Sequence, residues 1–255
     1  MILSMLTPAA GKRLIGKGMA AHPAVRQSLN KGTIVIVAGT TNGYVAEEIL
    51  SSAGQLSNFS RRRFFRGISL PPDYKVTDQG RLPDESGFKG DVVIKNGALI
   101  PNKTIEDVAD SLGEADIIVK GGNALDIANR RVAVLIGNPT GGTILVSLRA
   151  MIGRRVRSIM PIGLEKRVSA DLDKLARDVD APGSKGLRLM PAAGEAFTEL
   201  EAISLLTGAT AELVAAGGVS GAEGSIWLGI SGTPDAEQKA ETLLKSVATE
   251  PMFMV

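Results

Sequence analysis

Residues 33–50 read TIVIVAGTTNGYVAEEIL, and this stretch decides the fold class. Residues 33–38 are apolar or β-branched without polar alternation, a pattern typical of a strand buried on both faces. The glycine turn Gly39-Thr40-Thr41-Asn42-Gly43 comes next, and helical spacing of apolar residues then runs over residues 44–51. The stretch therefore predicts a strand–turn–helix unit of an α/β protein.

The turn at residues 39–43 has the features of an anion-binding site. The first N–H groups of a helix lack intrahelical partners, and the helix dipole is positive at that end. Gly39 and Gly43 let a ligand approach the backbone, and Thr40, Thr41 and Asn42 offer side-chain donors. The turn matches neither GxGxxG nor a P-loop with its lysine, so an ordinary tight βα loop is the alternative. We expect the turn to hold a small anionic ligand.

Further apolar strands alternate with helices along the first two thirds of the chain. Helical spacing covers residues 8–30, with a break at His22-Pro23, and again 102–112 and 141–151, while strands are predicted at 91–95, 116–119, 132–136 and 157–161. Residues 54–90 are rich in Ser, Pro, Asp and Gly and predict a long surface excursion, with room for a strand pair. The alternation predicts a Rossmann-like, mostly parallel sheet flanked by helices over residues 1–185.

The pattern changes after Lys185. Strands are predicted at 187–190, 211–218 and 225–231, and helices at 197–206 and from Pro234 to about Val247. The order βαββα predicts a small α+β lobe of ferredoxin-like type over residues 186–250, in which Trp227 is a core or a subunit-contact residue. The apolar end of the chain, residues 251–255, is expected to rejoin the main sheet as a final strand.

Composition excludes several kinds of chemistry. The chain has no cysteine and one histidine, His22, which is expected at a helix end, so thiol nucleophiles and thiolate metal sites are excluded. Catalysis would need carboxylates, lysines, hydroxyls or backbone amides, and neither a metal nor a cofactor is predicted. The net charge of +2 gives no pull toward nucleic acid or membrane, and the basic run at residues 61–66 is interpreted as a solvated loop. With no apolar run of about 20 residues and no signal sequence, we expect a cytoplasmic protein.

Two more glycine loops are predicted to follow strands. One runs from Lys120 through Gly121, Gly122 and Asn123 to Asp126, and the other covers residues 137–143 with Gly141, Gly142 and Thr143. Ligands of open α/β sheets gather beyond the carboxyl ends of the strands, so both loops are expected to face the turn at 39–43. Glu165 and Lys166 add charge after a fourth strand, where a solvated helix start is an equally good interpretation.

The order of these motifs resembles the superfamily of ribose-5-phosphate isomerase type A, glucosamine-6-phosphate deaminase and the CoA transferases, and most of all its isomerase branch. Six motifs of the family have similar stretches here. The GTGST-like turn is similar to residues 39–43, the DGADEVD loop to 120–126 and the helix ending in LREK to 141–148. The DESK strand end is similar to residues 161–166, the VEVxPF-like strand to 187–191 and the EHGLF strand to 250–253. The resemblance implies a sugar-phosphate-like ligand, a Rossmann-like sheet with a small lobe, and a homo-oligomer.

The chain departs from the isomerase pattern at the positions whose side chains transfer the proton in the isomerase. The resemblance assigns proton transfer to loop aspartates and to a glutamate, and these positions hold Lys120, Asn123 and Ser147. A serine cannot replace a carboxylate that transfers a proton, so standard isomerase chemistry is not expected. Lys120 instead adds positive charge beside an anion loop, which suits a more highly charged ligand.

Three hypotheses stay open. The first is an enzyme acting on a phosphorylated sugar or nucleotide-like molecule, with the phosphate at residues 39–43, with Lys120, Asn123 and Lys166 at the reacting end, and with Asp126 or Glu165 as acid–base. The second is a binding or regulatory protein that has lost the catalyst. The third is a nucleotide-binding Rossmann protein of another family, which the absence of GxGxxG makes less favourable. A CoA-transferase-like enzyme in which Glu165 or Glu195 attacks the acyl group is a further alternative.

Overall fold

The computed structural model describes residues 1–66, 69–70 and 90–254, which form twelve strands and eight α-helices in a mixed α/β arrangement. The strands are β1 (Ile2–Leu6), β2 (Thr33–Ile36), β3 (Val92–Lys95), β4 (Ala98–Ile100), β5 (Ile117–Val119), β6 (Ala124–Asp126), β7 (Arg131–Ile136), β8 (Arg157–Pro161), β9 (Arg188–Ala192), β10 (Glu195–Phe197), β11 (Thr210–Ala216) and β12 (Ile226–Ser231). The helices are α1 (Pro8–Ala21), α2 (Pro23–Lys31), α3 (Thr40–Ser52), α4 (Ile105–Val108), α5 (Gly142–Arg154), α6 (Leu172–Val179), α7 (Glu199–Thr207) and α8 (Pro234–Val247).

The central sheet has six strands in the order β10-β8-β5-β2-β3-β4. The first four strands run parallel to one another, β3 pairs antiparallel with β2, and β4 pairs antiparallel with β3. The prediction of a mostly parallel sheet is therefore confirmed. Both faces of β2 are covered: Ile34 and Ile36 belong to one hydrophobic cluster, whereas Val35 and Val37 belong to another. This is the packing that the unbroken apolar run predicts.

Helix α1 begins and ends where local chemistry requires it. Thr7 caps its N-terminus by accepting a hydrogen bond from Ala10 N at 3.2 Å, Pro8 occupies the first turn, and the predicted break at His22-Pro23 separates α1 from α2. At Gly16 a Cβ would lie 2.9 Å from the carbonyl oxygen of Tyr44, so the missing side chain allows α1 to pack closely on α3.

Strand β7 corrects the predicted sheet. The strand predicted at 132–136 is present, but it pairs antiparallel with β6 and β9 in a separate three-stranded sheet, order β6-β7-β9. The strand predicted at 187–190 is β9, so it pairs with β7 rather than with the hairpin of the predicted lobe. The loop at 137–143 therefore does not leave a parallel strand of the central sheet.

The hairpin β11–β12 and helix α8 form as predicted, but the third strand of their sheet is the N-terminal strand β1. The ferredoxin-like βαββ order is therefore wrong for this sheet. Trp227 lies on the outer face of the sheet with Leu3, Met5 and Val214, all exposed, and so is not a core residue. Residues 251–254 form no strand, which contradicts the expected return to the main sheet.

The basic run at 61–66 is not a solvated loop. Phe64 and Phe65 are buried, and Arg61 and Arg66 make ion pairs. Arg61 Nη1 donates to Glu47 and its Nη2 to Glu250, while its guanidinium centre lies 4.5 Å from the centroid of the Tyr44 ring. The strand pair considered within 54–90 falls mostly outside the described residues, and no helix in the described ranges is long and apolar enough to span a membrane.

Candidate functional site

The carboxyl ends of the four parallel strands form one edge of the central sheet. Because β10, β8, β5 and β2 are neighbours and parallel, the residues that follow them lie side by side along this edge. They comprise Glu199 after β10, Glu165 and Lys166 after β8, Lys120 to Gly122 after β5, and the turn at 39–43 after β2. We call this row of residues the strand-end site.

Helix α3 begins in the turn with an open N-terminus. Its N-cap residue, Gly39, has extended backbone (φ 178°, ψ 154°), and no described side chain caps the helix. The N–H of Gly43 already bonds to the carbonyl of Gly39 at 2.8 Å, whereas the N–H groups of residues 40–42 stand at the positive end of a 13-residue helix. This geometry favours an anion.

Asn42 joins the turn to the end of the neighbouring strand. Its Nδ2 donates to Val37 O at 2.7 Å and to Val119 O at 3.1 Å, which ties the end of β2 to the end of β5. Asn42 is buried, and its Oδ1 has no hydrogen-bond partner among the described residues. The hydroxyl of Thr41 is also buried and unpartnered in the described structure.

The glycines of the two loops differ in what they do. A Cβ on Gly43 would lie 2.9 Å from Arg61 Cβ, and one on Gly122 would lie 2.1 Å from Val132 Cγ1, so packing requires glycine at both positions. The nearest atoms to a Cβ on Gly39 or Gly121 would be 3.9 Å and 3.8 Å away, an ordinary contact distance. Packing therefore does not require glycine at residues 39 and 121.

Two lysines converge on the loop after β5. Lys120 Nζ donates to Gly121 O at 3.3 Å, and Lys166 Nζ donates to Gly122 O at 2.9 Å. The pKa of Lys120 is lowered to about 8, chiefly by removal from water and then by the charge of the nearby Arg66, while Asp91 opposes the change. Burial likewise lowers the pKa of Lys166, while the negative charge of Glu165 acts to raise it. Neither ammonium group forms an ion pair with a described residue, so both are available to an anion.

Asp91 organises the end of the site beside β2. This buried carboxylate accepts hydrogen bonds from Ala38 N and Ile105 N, each at 2.8 Å, and from Arg66 Nη2 at 3.2 Å. It therefore fixes the residue before Gly39, the start of α4 and the Arg66 guanidinium together. The Nε of Arg66 is buried and has no partner in the described part of the chain.

A pair of carboxyl groups lies at the opposite end. Glu199 is buried, and its Oε2 accepts from Leu164 N at 3.0 Å. Burial raises the pKa of Glu199 to about 8, and the negative charge of Glu165 acts in the same direction. Glu165 Oε1 lies 3.5 Å from Lys12 Nζ. Burial therefore favours the protonated form of Glu199, whereas Glu165 has a cation beside it.

Several predicted site residues have structural roles instead. Asp126 accepts from the backbone N–H and the Nδ2 of Asn129, which closes the turn after β6. Asn123 Oδ1 accepts from Leu135 N at 3.1 Å, which joins β6 to β7. Ser147 Oγ donates to the carbonyl of Thr143 within α5.

The third loop follows a strand of the separate sheet, β7, rather than a strand of the central sheet. Gly141, with φ 84°, and Gly142, with φ 58°, open α5, and Arg188 Nη2 donates to the carbonyls of residues 136–138. Residues 39–43, Lys120, Gly121, Gly122, Glu165 and Lys166 thus lie along one edge of the central sheet, whereas Asp126 and the loop at 141–143 follow the topology of the separate sheet.

Sequence reasoning missed Glu199, Asp91, Arg66 and Lys12. A signal for Glu199 exists, since Thr198 and Glu201 form a capping box that starts α7 directly after β10 and so places residue 199 at the strand end. Among the described residues, no group of three or more His, Asp or Glu side chains is arranged to hold a metal ion. Comparisons with family models, with curated proteins and with solved structures found no match to this chain.

Proposed function

We propose that the chain binds a small phosphorylated molecule at the strand-end site, with the phosphate at the N-terminus of α3. The observation that carries the proposal is the open helix N-terminus next to two lysines that have no acidic partner among the described residues. Helix N–H groups together with cations are the usual means by which proteins bind phosphate.

Charge balance along the site supports an anionic ligand. Lys120 and Lys166 have lowered pKa values, and the Asp91 carboxylate that acts on Lys120 is already shared by two backbone N–H groups and Arg66. A bound phosphate would offset the cost of holding these cations out of water, and it would raise the pKa of Lys120. Binding at pH 8 should therefore take up a fraction of a proton.

We further propose that the bound molecule undergoes proton transfer at the end of the site near Glu199. An acid or base works best when its pKa is near the operating pH, and the pKa values of Glu199 and Lys120 both lie at about 8. Glu199 would donate a proton and Glu165, beside Lys12, would accept one. The reaction class would be proton transfer on a phosphorylated substrate.

The resemblance to the isomerase, deaminase and CoA-transferase superfamily, with its Rossmann-like sheet, remains part of this proposal. A non-catalytic binding protein is the second candidate, because Lys120, Asn123 and Ser147 stand where the isomerase has its carboxylates. Attack by a glutamate of the CoA-transferase kind is less well supported, since Glu165 is next to Lys12, and Glu195 begins β10, at the opposite end from the site, where it pairs with Arg157. Self-association through the exposed face around Trp227 is proposed as well.

Thermal-shift measurements against sugar phosphates, nucleotides, CoA esters and NAD(P), each followed by a turnover assay, test the proposal. We expect stabilisation by phosphorylated small molecules, and at least tenfold weaker binding after Lys120→Met, because the variant loses a cation at the site. Lys239→Met, at an exposed lysine of α8, is the matched control. Stabilisation without turnover would favour the binding protein, and stabilisation by NAD(P) alone would refute the superfamily assignment.

A further inference from the structure

Two lysine amines are bound to consecutive residues of the loop after β5. Lys120 Nζ donates to the carbonyl of Gly121, and Lys166 Nζ donates to the carbonyl of the next residue, Gly122. The Cα atoms of consecutive residues are only about 3.8 Å apart, so the amines lie on successive peptide groups. Both side chains keep part of their surface in contact with solvent, and a small molecule can therefore reach them. We call Lys120 and Lys166 the lysine pair.

The neighbours of Lys120 disfavour its charged form. Removal from water lowers its pKa most, and the positive charges of Arg66 and Lys166 act in the same direction, so that the pKa is about 8. Asp91 opposes the change, but its carboxylate already accepts hydrogen bonds from two backbone N–H groups and from Arg66. Lys120 is therefore an amine that loses its proton easily.

Lys166 has a different set of neighbours. Burial lowers its pKa, Glu165 and Glu199 act to raise it, and the charge of Lys12 acts to lower it. Among the described residues, two acidic groups and one cation thus act on Lys166, whereas two cations and one carboxylate act on Lys120. This distribution of charge favours a neutral Lys120 next to a cationic Lys166. A lysine beside another cation is a recognised form of activated amine nucleophile.

We infer that the Lys120 amine is a nucleophile that forms an imine with an aldehyde or ketone group of the bound anion. The nitrogen attacks the carbonyl carbon, the carbon–oxygen bond breaks, and the oxygen leaves as water with the two hydrogens of the amine, so neither an oxidant nor a reductant is needed. The charge of the anion stabilises the protonated imine, which is a cation. The inference rests on the proposed function, because the anion site at the start of α3 is what brings the carbonyl group to Lys120.

Reductive trapping at pH 7 tests the inference. Cyanoborohydride reduces an imine to a stable secondary amine, and peptide mapping then identifies the modified lysine. The probes are glyoxylate, an anionic aldehyde, and glycolaldehyde, a neutral aldehyde of the same chain length. Because its pKa is about 8 rather than 10.5, Lys120 has roughly a hundred times more free amine at this pH than an ordinary lysine. We expect glyoxylate to modify Lys120 at least about tenfold faster than Lys239, an exposed lysine of α8, and glycolaldehyde to be the slower probe at Lys120.

Lys166→Met tests the lysine pair, because it removes the neighbouring cation and leaves Lys120 in place. The pH profile of Lys120 modification should move to higher pH, with about threefold less modification at pH 7, as expected when a like charge is lost. Lys166→Arg keeps the positive charge and should keep the wild-type profile. Lys174→Met, at an exposed lysine of α6, is the matched control. A merely structural role of Lys166 would not move the profile.

The outcomes separate this inference from the proposed function. If wild-type Lys120 is modified no faster than Lys239, the inference is overturned, while stabilisation by inorganic phosphate would still support the anion site. Equal modification of Lys120 by glyoxylate and glycolaldehyde would uphold the nucleophile and refute the part played by the anion site. An unchanged pH profile in Lys166→Met would overturn the role of the lysine pair.

Discussion

Replacing Glu199 by glutamine should change how stability depends on pH. The side chain is buried, and the raised pKa means that the folded protein holds a proton between pH 4.5 and about 8 that the unfolded chain has released. The free energy of unfolding must then fall as pH rises through this window, with a slope of at most about 1.4 kcal/mol per pH unit for one proton. From pH 5 to pH 8 this amounts to a loss of up to about 4 kcal/mol.

Glutamine keeps the shape of the protonated acid and can still accept the hydrogen bond from Leu164 N, but it cannot ionise. The variant should therefore lack this slope and be more stable than the wild-type protein at pH 8. Urea unfolding followed by circular dichroism at pH 5, 6, 7 and 8, at constant ionic strength, measures the difference. Glu241→Gln, which breaks only an exposed pair with Lys245, serves as control. Parallel curves for the wild-type and Glu199→Gln proteins across this range would refute the reasoning.

Three further predictions concern packing, a buried carboxylate and association. Gly122→Ala should lower the free energy of unfolding by about 1–3 kcal/mol in urea titrations, because the new methyl meets Val132 at 2.1 Å; an unchanged midpoint would contradict this. Asp91→Asn should cost about 1–3 kcal/mol in the same assay, since an amide has one acceptor oxygen for three donors, and full stability would show that the donors find other partners. Trp227→Lys should shift sedimentation velocity toward the monomer, and an unaltered distribution would exclude this face as the contact.

The parts of the fold that the sequence predicts are those with a local signal. The β-branched run before Gly39 identifies β2, and the proline at position 234 marks the start of α8. Of the three-residue strands, β5 is predicted because its apolar run is unbroken, whereas β4, β6 and β10 are too short to show a period and are not predicted. Local pattern thus finds most elements but misses several of the shortest ones.

The pairing of the strands is the part of the fold that the sequence could not predict. Strand β1 pairs with β12, with Leu3 opposite Gly229, across more than two hundred residues of chain, and no local signal reports such a partner. The apolar run of β7 reads as a strand equally well in a parallel or an antiparallel sheet. Its true neighbours, β6 and β9, place it in a separate sheet, so the loop after it does not follow one of the parallel strands of the central sheet.

At the candidate site, too, the local sequence pattern does not show what each residue does. A motif treats the glycines of a loop alike, yet a Cβ at Gly43 or Gly122 would collide with Arg61 or Val132, whereas one at Gly39 or Gly121 would make only ordinary contacts. Packing therefore requires glycine at Gly43 and Gly122 only. The same holds for the side chain of Asn42, because both of its amide hydrogens are used within the fold, on Val37 O and Val119 O, and its oxygen is buried. The sequence presents Asn42 as a donor to a ligand, but in the structure those donors hold the end of β2 to the end of β5.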